Sequence, residues 1–210
     1  MSENNAFLLP TGPGEGELVE KKSRFIGNIF KVESEEEALA HIKELKDKTW
    51  DANHHVYAYI LDGGTMRYSD DGEPGGTAGM PVLEVLRHAG LRQVLCVVTR
   101  YFGGTLLGTG GLVRAYGKTA RLALDAAGIS RRCRWSSLEI PCPYPLYDRV
   151  SACLREKGAQ IADTVYGSDV TLKLLIPEEE EEALRLALTD LTAGKLEIQS
   201  LGTELRDFPV

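Results

Sequence analysis

Apolar residues along the chain follow two rhythms, one of strands and one of helices. Runs rich in β-branched and aromatic residues predict strands over residues 24–32, 54–61 and 94–99, and the last reads as a buried strand. Ser34 is a good N-cap, and Glu35, Glu36 and Glu37 follow it in the first turn, where the helix dipole favours acids. The helix that follows is expected to bury Ala38, Leu39, Ile42 and Leu45. Gly63-Gly64 makes a turn, and 65–68 returns as the hairpin partner of 54–61. Residues 69–79 form a polar loop with four glycines. A helix is predicted from about 80 to 89, with Pro81 near its first turn and Gly90 as C-cap, and another from 112 to about 127.

The second half begins with a strand over 136–141 and a helix over 145–157 that ends at Gly158. Two strands, 160–166 and 170–176, flank Gly167-Ser-Asp169. The glutamates after Pro177 start a helix that runs to Thr192 with Leu184, Leu188 and Leu191 as its apolar stripe, and 196–205 is a last strand. That order, β-α-β-β-α-β, is the ferredoxin-like arrangement. Residues 128–134 read as a linker, because Arg131, Arg132 and Arg134 leave little to bury. The chain is therefore expected to be α+β, with domains at 1–130 and 135–210.

Composition narrows the function. No apolar run approaches the roughly 18 residues of a membrane span, and the N-terminus lacks a basic region followed by an apolar core. Four cysteines (Cys96, Cys133, Cys142, Cys153) form no C-x-x-C pair. These features predict a cytoplasmic protein without disulfides or membrane partners. The net charge of −7 argues against a general nucleic-acid binder but leaves a local basic patch possible.

Such a patch is present. Between Val85 and Leu124 stand six Lys/Arg (Arg87, Arg92, Arg100, Arg114, Lys118, Arg121) and no Asp or Glu. Within it lie Gly103, Gly104, Gly108, Gly110 and Gly111, between the strand at 94–99 and the next helix. A glycine loop that opens a helix presents free N–H groups at the positive end of a dipole, which favours an anion. Arg114, Lys118 and Arg121 recur at helical spacing on one face. The competing reading is a structural turn beside a solvated basic face. Known nucleotide fingerprints do not fit: Leu112 follows Gly111 where a P-loop needs Lys, and Val113 occupies the third-glycine position of the dinucleotide motif.

Ser69-Asp-Asp-Gly-Glu-Pro-Gly-Gly-Thr-Ala-Gly79 brings Asp70, Asp71 and Glu73 together, with His54 and His55 elsewhere in the same half. Such a set could serve acid–base or metal chemistry. Turn-forming is the simpler reading, since Asp-Gly and Glu-Pro-Gly make turns and no H-x-x-x-H or H-x-H spacing supports ligation. A further possibility is that Asp70, Asp71 or Glu73 pairs with Arg100 or Arg114 and braces the glycine loop. No catalytic residue, metal site or cofactor is assigned.

Four stretches together resemble the YigZ/IMPACT family: Ser23-Arg-Phe25, His54-His55 with Ala58-Tyr59, the 69–81 segment ending Gly79-Met-Pro81, and Arg100-Tyr-Phe-Gly-Gly-Thr-Leu-Leu-Gly-Thr-Gly-Gly-Leu-Val-Arg-Ala-Tyr116. The resemblance covers residues 18–125 firmly. It implies a first domain like ribosomal protein S5 domain 2, followed by the smaller ferredoxin-like domain of bacterial members. A eukaryotic member regulates translation by binding a partner, but it joins its domain to a different module, so that partnership does not transfer to a chain with this second half. Fold likeness to translation proteins is analogy. The expectation is a non-catalytic binder of RNA, the ribosome or a translation-associated protein, through the glycine loop amides and the basic helix. The alternatives are an enzyme acting on a phosphorylated or carboxylated small molecule, and a pure protein-interaction module.

Overall fold

Strand β6 (Val94–Tyr101) is buried from Val94 to Arg100, and the elements around it make that possible. In the computed structural model, which describes residues 6–210, it is the middle strand of a five-stranded sheet. The order is β2 (Gly14–Glu20), β3 (Ser23–Lys31), β6, β4 (His54–Ile60), β5 (Met66–Ser69), with every pair antiparallel. Helix α1 (Glu35–Lys48) covers one face, where Ala38 and Ile42 pack with Tyr59, Leu95 and Val97. Helices α2 (Gly79–His88) and α3 (Thr109–Ala127) cover the other, against Phe25, Ile29, Ala58, Cys96 and Val98. Successive residues of a strand point to opposite faces, so a strand covered twice is apolar throughout. The short strand β1 (Phe7–Pro10) docks through Leu8, whose carbonyl accepts from the Arg92 amide.

Several expectations are corrected. Ser34 does cap α1, accepting from the Glu37 amide at 3.2 Å. Leu39, however, is 49% exposed: it lies about 100° around the helix from Ala38 and off the face toward the sheet. Strand β2 escapes an apolar pattern because the face it turns to α3 carries glycines and a single hydrophobic, Leu18. A Cβ on Gly14 or Gly16 would run into the α3 backbone at Leu122, Ala123 and Ala127. Helix α3 starts at Thr109, so Gly110 and Gly111 belong to its first turn rather than to the preceding loop.

The chain divides into two units, one of Phe7–Arg131 with Asp207–Val210 and one of Arg132–Arg206. The expected linker is the beginning of a long strand, β7 (Ile129–Cys142). Its arginines find partners that a local pattern cannot reveal, as Arg134 does in Glu178 at 3.1 Å. The second unit continues with α4 (Tyr147–Glu156), β8 (Gln160–Tyr166), β9 (Val170–Pro177), α5 (Glu181–Thr192) and β10 (Gln199–Pro209). Its sheet runs β10-β7-β9-β8 over a core of Leu138, Ile140, Leu154, Leu172 and Leu184. The molecule is thus α+β, with an S5 domain 2-like first fold and a ferredoxin-like second. Among the described residues no helix is long and apolar enough to cross a membrane.

Candidate anion-binding surface

The acidic loop is held by its own carboxylates. Asp70 Oδ1 accepts from the amides of Ala78 (3.1 Å) and Gly79 (2.8 Å), and Oδ2 accepts from Gly76 (2.8 Å). It thereby closes the loop onto the start of α2, whose own N-cap, Ala78, has no side chain to offer. Asp71 joins α1 to β4: its carboxylate accepts from the His55 amide at 2.6 Å and from Lys46 Nζ at 3.0 Å. Burial alone would raise the Asp71 pKa, but these two donors hold it below the usual carboxylate value. His55 is itself buried, and that burial pushes its pKa down. The hydroxyl of Thr49 donates to the Leu45 carbonyl, so the His55 Nε2–H donates to the Thr49 oxygen, 2.7 Å away. Asp70 and Asp71 are therefore turned to backbone and lysine, not toward a common centre.

Glu73 behaves differently. Its Oε1 accepts from Arg100 at 2.5 Å and from the Tyr116 hydroxyl at 2.7 Å. The side chains of Glu73 and Arg100 are 4% and 6% exposed. Arg100 lies over the Phe25 and Phe102 rings and reaches Ser23 Oγ at 3.3 Å, while the Gly103 amide donates to the same oxygen. Burial, and then the bond to Glu73, push the Tyr116 phenol far up. Of the pairings the sequence allowed, the fold forms Glu73–Arg100. Arg100, expected as a surface phosphate contact, faces inward and is neutralised there. The reason is its register: it follows Cys96 and Val98 on the face of β6 that packs against α3.

The five loop glycines divide by role. At Gly103 a side chain would collide with the backbone of Lys22 and Ser23. Gly104 (φ 79°) and Gly108 (φ 74°) occupy the left-handed region that disfavours other residues. A Cβ on Gly111 would press on Leu107 at 2.9 Å. Gly110 has no such constraint: its nearest neighbour, Arg114 Nη1, is 3.6 Å away. Gly108 is the N-cap of α3 and gives no side-chain hydrogen bond. The first-turn amides of α3 thus lack a cap at the positive end of the helix dipole.

The block of six cations is largely compensated from outside its own segment. Arg87 pairs with Glu84 (2.8 Å), Arg92 lies 3.6 Å from Asp62, Arg100 is held by Glu73, and Arg121, one of the expected contacts, pairs with Asp125 (3.0 Å). Arg114 and Lys118 are exposed and form no ion pair among the described residues. They line a cavity of about 240 Å³ with Gly111, Leu18, Glu20 and Lys21. Lys21 and Lys22 make the turn between β2 and β3, both exposed and both at positive φ (45° and 69°). These two lysines escaped the sequence reading because β2 was not recognised. The signal was there in Lys-Lys directly before Ser23.

The family described as the Impact N-terminal domain matches residues 21–124, and a domain of unknown function (DUF1949) matches residues 140–195. IMPACT family member YvyE of Bacillus subtilis is 38% identical over 89% of this chain and 87% of its own. IMPACT family member YigZ of Escherichia coli is 32% identical over 93% of this chain and 98% of its own. A solved structure described as a hypothetical protein aligns with a TM-score of 0.59 at 32% identity, over 94% of this chain and 98% of that one.

Proposed function

The chain belongs to the IMPACT family, and from that premise we propose a non-catalytic protein linked to translation that contacts the phosphates of RNA. The observation that carries this reading is a juxtaposition at the start of α3. Uncapped first-turn amides lie beside Arg114 and Lys118, which have no ion pair among the described residues, and the Lys21-Lys22 turn adjoins them. Amides at a helix N-terminus and flexible cations both favour phosphate oxygens. Only Glu20 opposes them in the same ring.

Two further features support a contact surface. Lys21 and Lys22 fill both central positions of the two-residue β2–β3 hairpin, where positive φ is required and Asn or Gly is the usual choice, so the turn presents two lysines in place of less strained residues. The net charge of −7 discourages phosphate from the remaining surface, which confines contact to this patch. In this reading the protein works in the cytoplasm, contacts RNA alone or within the ribosome, and does not recognise base sequence, because phosphate contacts position a partner without reading it.

Capture from lysate, with and without nuclease, tests the proposal. The parent should retain RNA or ribosomal particles, nuclease should release them, and the variant Arg114→Ala with Lys118→Ala should retain little. Capture that survives nuclease and ignores both substitutions would instead favour a protein-interaction module.

A further inference from the structure

We propose that the first unit also binds a small organic anion with an apolar body, in a cavity of about 410 Å³ beside the N-terminus of α3. This cavity shares Leu107 and the N-terminus of α3 with the basic patch but takes nothing from Arg114, Lys118 or Lys21, so substitutions of those cations separate it from the RNA reading. Its volume falls in the lower part of the ~300–1,000 Å³ usual for small-molecule sites.

The walls define the body of the ligand. Phe102, Leu106, Leu107 and Leu112 line the cavity, and Leu106 is 81% exposed. Apolar side chains held in water around a concavity favour an apolar occupant.

The polar end defines the head. Glu73 and Arg100 both reach the cavity but cancel each other's charge. What remains is the α3 terminus at Gly108 and Thr109, equivalent to roughly half a positive charge. The Asp71 carbonyl can only accept, so His54 Nδ1, 2.8 Å from it, carries the proton. That leaves Nε2 without a proton, an acceptor on the cavity wall 3.8 Å from Glu73 Oε1, so His54 adds no donor for an anion. Arg100 adds an independent sign: it is 5% exposed, lines the cavity, and has a buried Nε with no hydrogen-bond partner. A buried unpaired donor is uncommon unless something meets it. A carboxylate or a phosphate monoester supplies the acceptors that the α3 amides and the Arg100 Nε lack.

Nuclear magnetic resonance on the full chain can test this with phenylpropionate, phenyl phosphate, phenylpropanol and inorganic phosphate. At least one of the two aromatic anions should shift the Thr109 and Gly110 amides and the His54 ring in a saturable way, and the tighter one identifies the head group. Phenylpropanol should bind about tenfold more weakly or worse, the loss expected from one hydrogen bond to a charged group. Inorganic phosphate should also bind more weakly, because it has no body to bury. Leu106→Ser, which alters only an exposed side chain, should weaken the aromatic anion about fivefold or more and leave the melting temperature unchanged. Lys118→Ala should have no effect on it. The proposal is overturned if neither anion gives a saturable shift at millimolar concentration, if the alcohol binds as well as the acid, or if Leu106→Ser changes nothing.

Discussion

Glu73 is the residue on which the order of this region depends. It neutralises Arg100 and receives the Tyr116 hydroxyl, all behind the glycine loop. Glu73→Gln would leave the guanidinium buried without its counter-charge. Breaking one side of such a pair costs about 3–5 kcal/mol, and urea denaturation should show a loss near the lower figure, since Gln still accepts from Tyr116. A loss below about 1 kcal/mol would mean that Arg100 escapes to water. The glycines give a second residue-scale prediction. Gly103→Ala should unfold the loop, because the Lys22 backbone occupies the space of its Cβ. Gly104→Ala and Gly108→Ala should each cost roughly 1 kcal/mol or more, for their positive φ. Gly110→Ala should leave the melting temperature near that of the parent, as nothing lies closer than 3.6 Å; a large drop would show that this position is also structural. From sequence, Glu73–Arg100 was one of several allowed pairings. Choosing among them needs the strand register, which no local pattern contains.

At the scale of elements, the predicted helices and strands with strong periodicity or caps were legible: α1 from Ser34 and its glutamates, and β6 from its unbroken apolar run. Strand β2 was not, because the face it turns to α3 carries Gly14, Gly16 and a single hydrophobic, Leu18, and the opening of β7 was hidden by arginines that pair at a distance. The tie between α1 and β4 has a consequence for pH. His55 sits below its ordinary 6.5 because burial disfavours its cation, so the unfolded chain takes up that proton first. The associated stability is complete above pH 6.5 and is lost as the pH falls through the folded value. Asp71 adds a second loss, starting near 3.8 and continuing as the pH falls through its lower folded value. Melting temperature should therefore decline below pH 6.5, and His55→Gln should flatten that first limb. Equal slopes in parent and variant would assign the acid sensitivity elsewhere.

For the whole molecule, the βαββαβ order of the second unit could be read from turns and apolar stripes alone. The layered first unit could not, and there the family resemblance supplied the fold. Charge was the least legible property. The sequence shows a run of six cations, whereas the fold brings carboxylates from other segments or from the run's edges to four of them. It leaves Arg114 and Lys118 and adds the Lys21-Lys22 turn. In this reading the small patch, and not the chain as a whole, holds RNA phosphates. The most direct measurement is the salt dependence of binding to a labelled single-stranded RNA. With about four phosphate contacts, affinity should fall roughly 50-fold between about 50 and 200 mM salt. Lys21→Ala, Arg114→Ala and Lys118→Ala should each reduce the slope by about one contact or less, while Arg121→Ala, already paired with Asp125, should change it least. Absence of binding at low salt, or a slope indifferent to Lys21, Arg114 and Lys118, would show that this patch does not hold RNA.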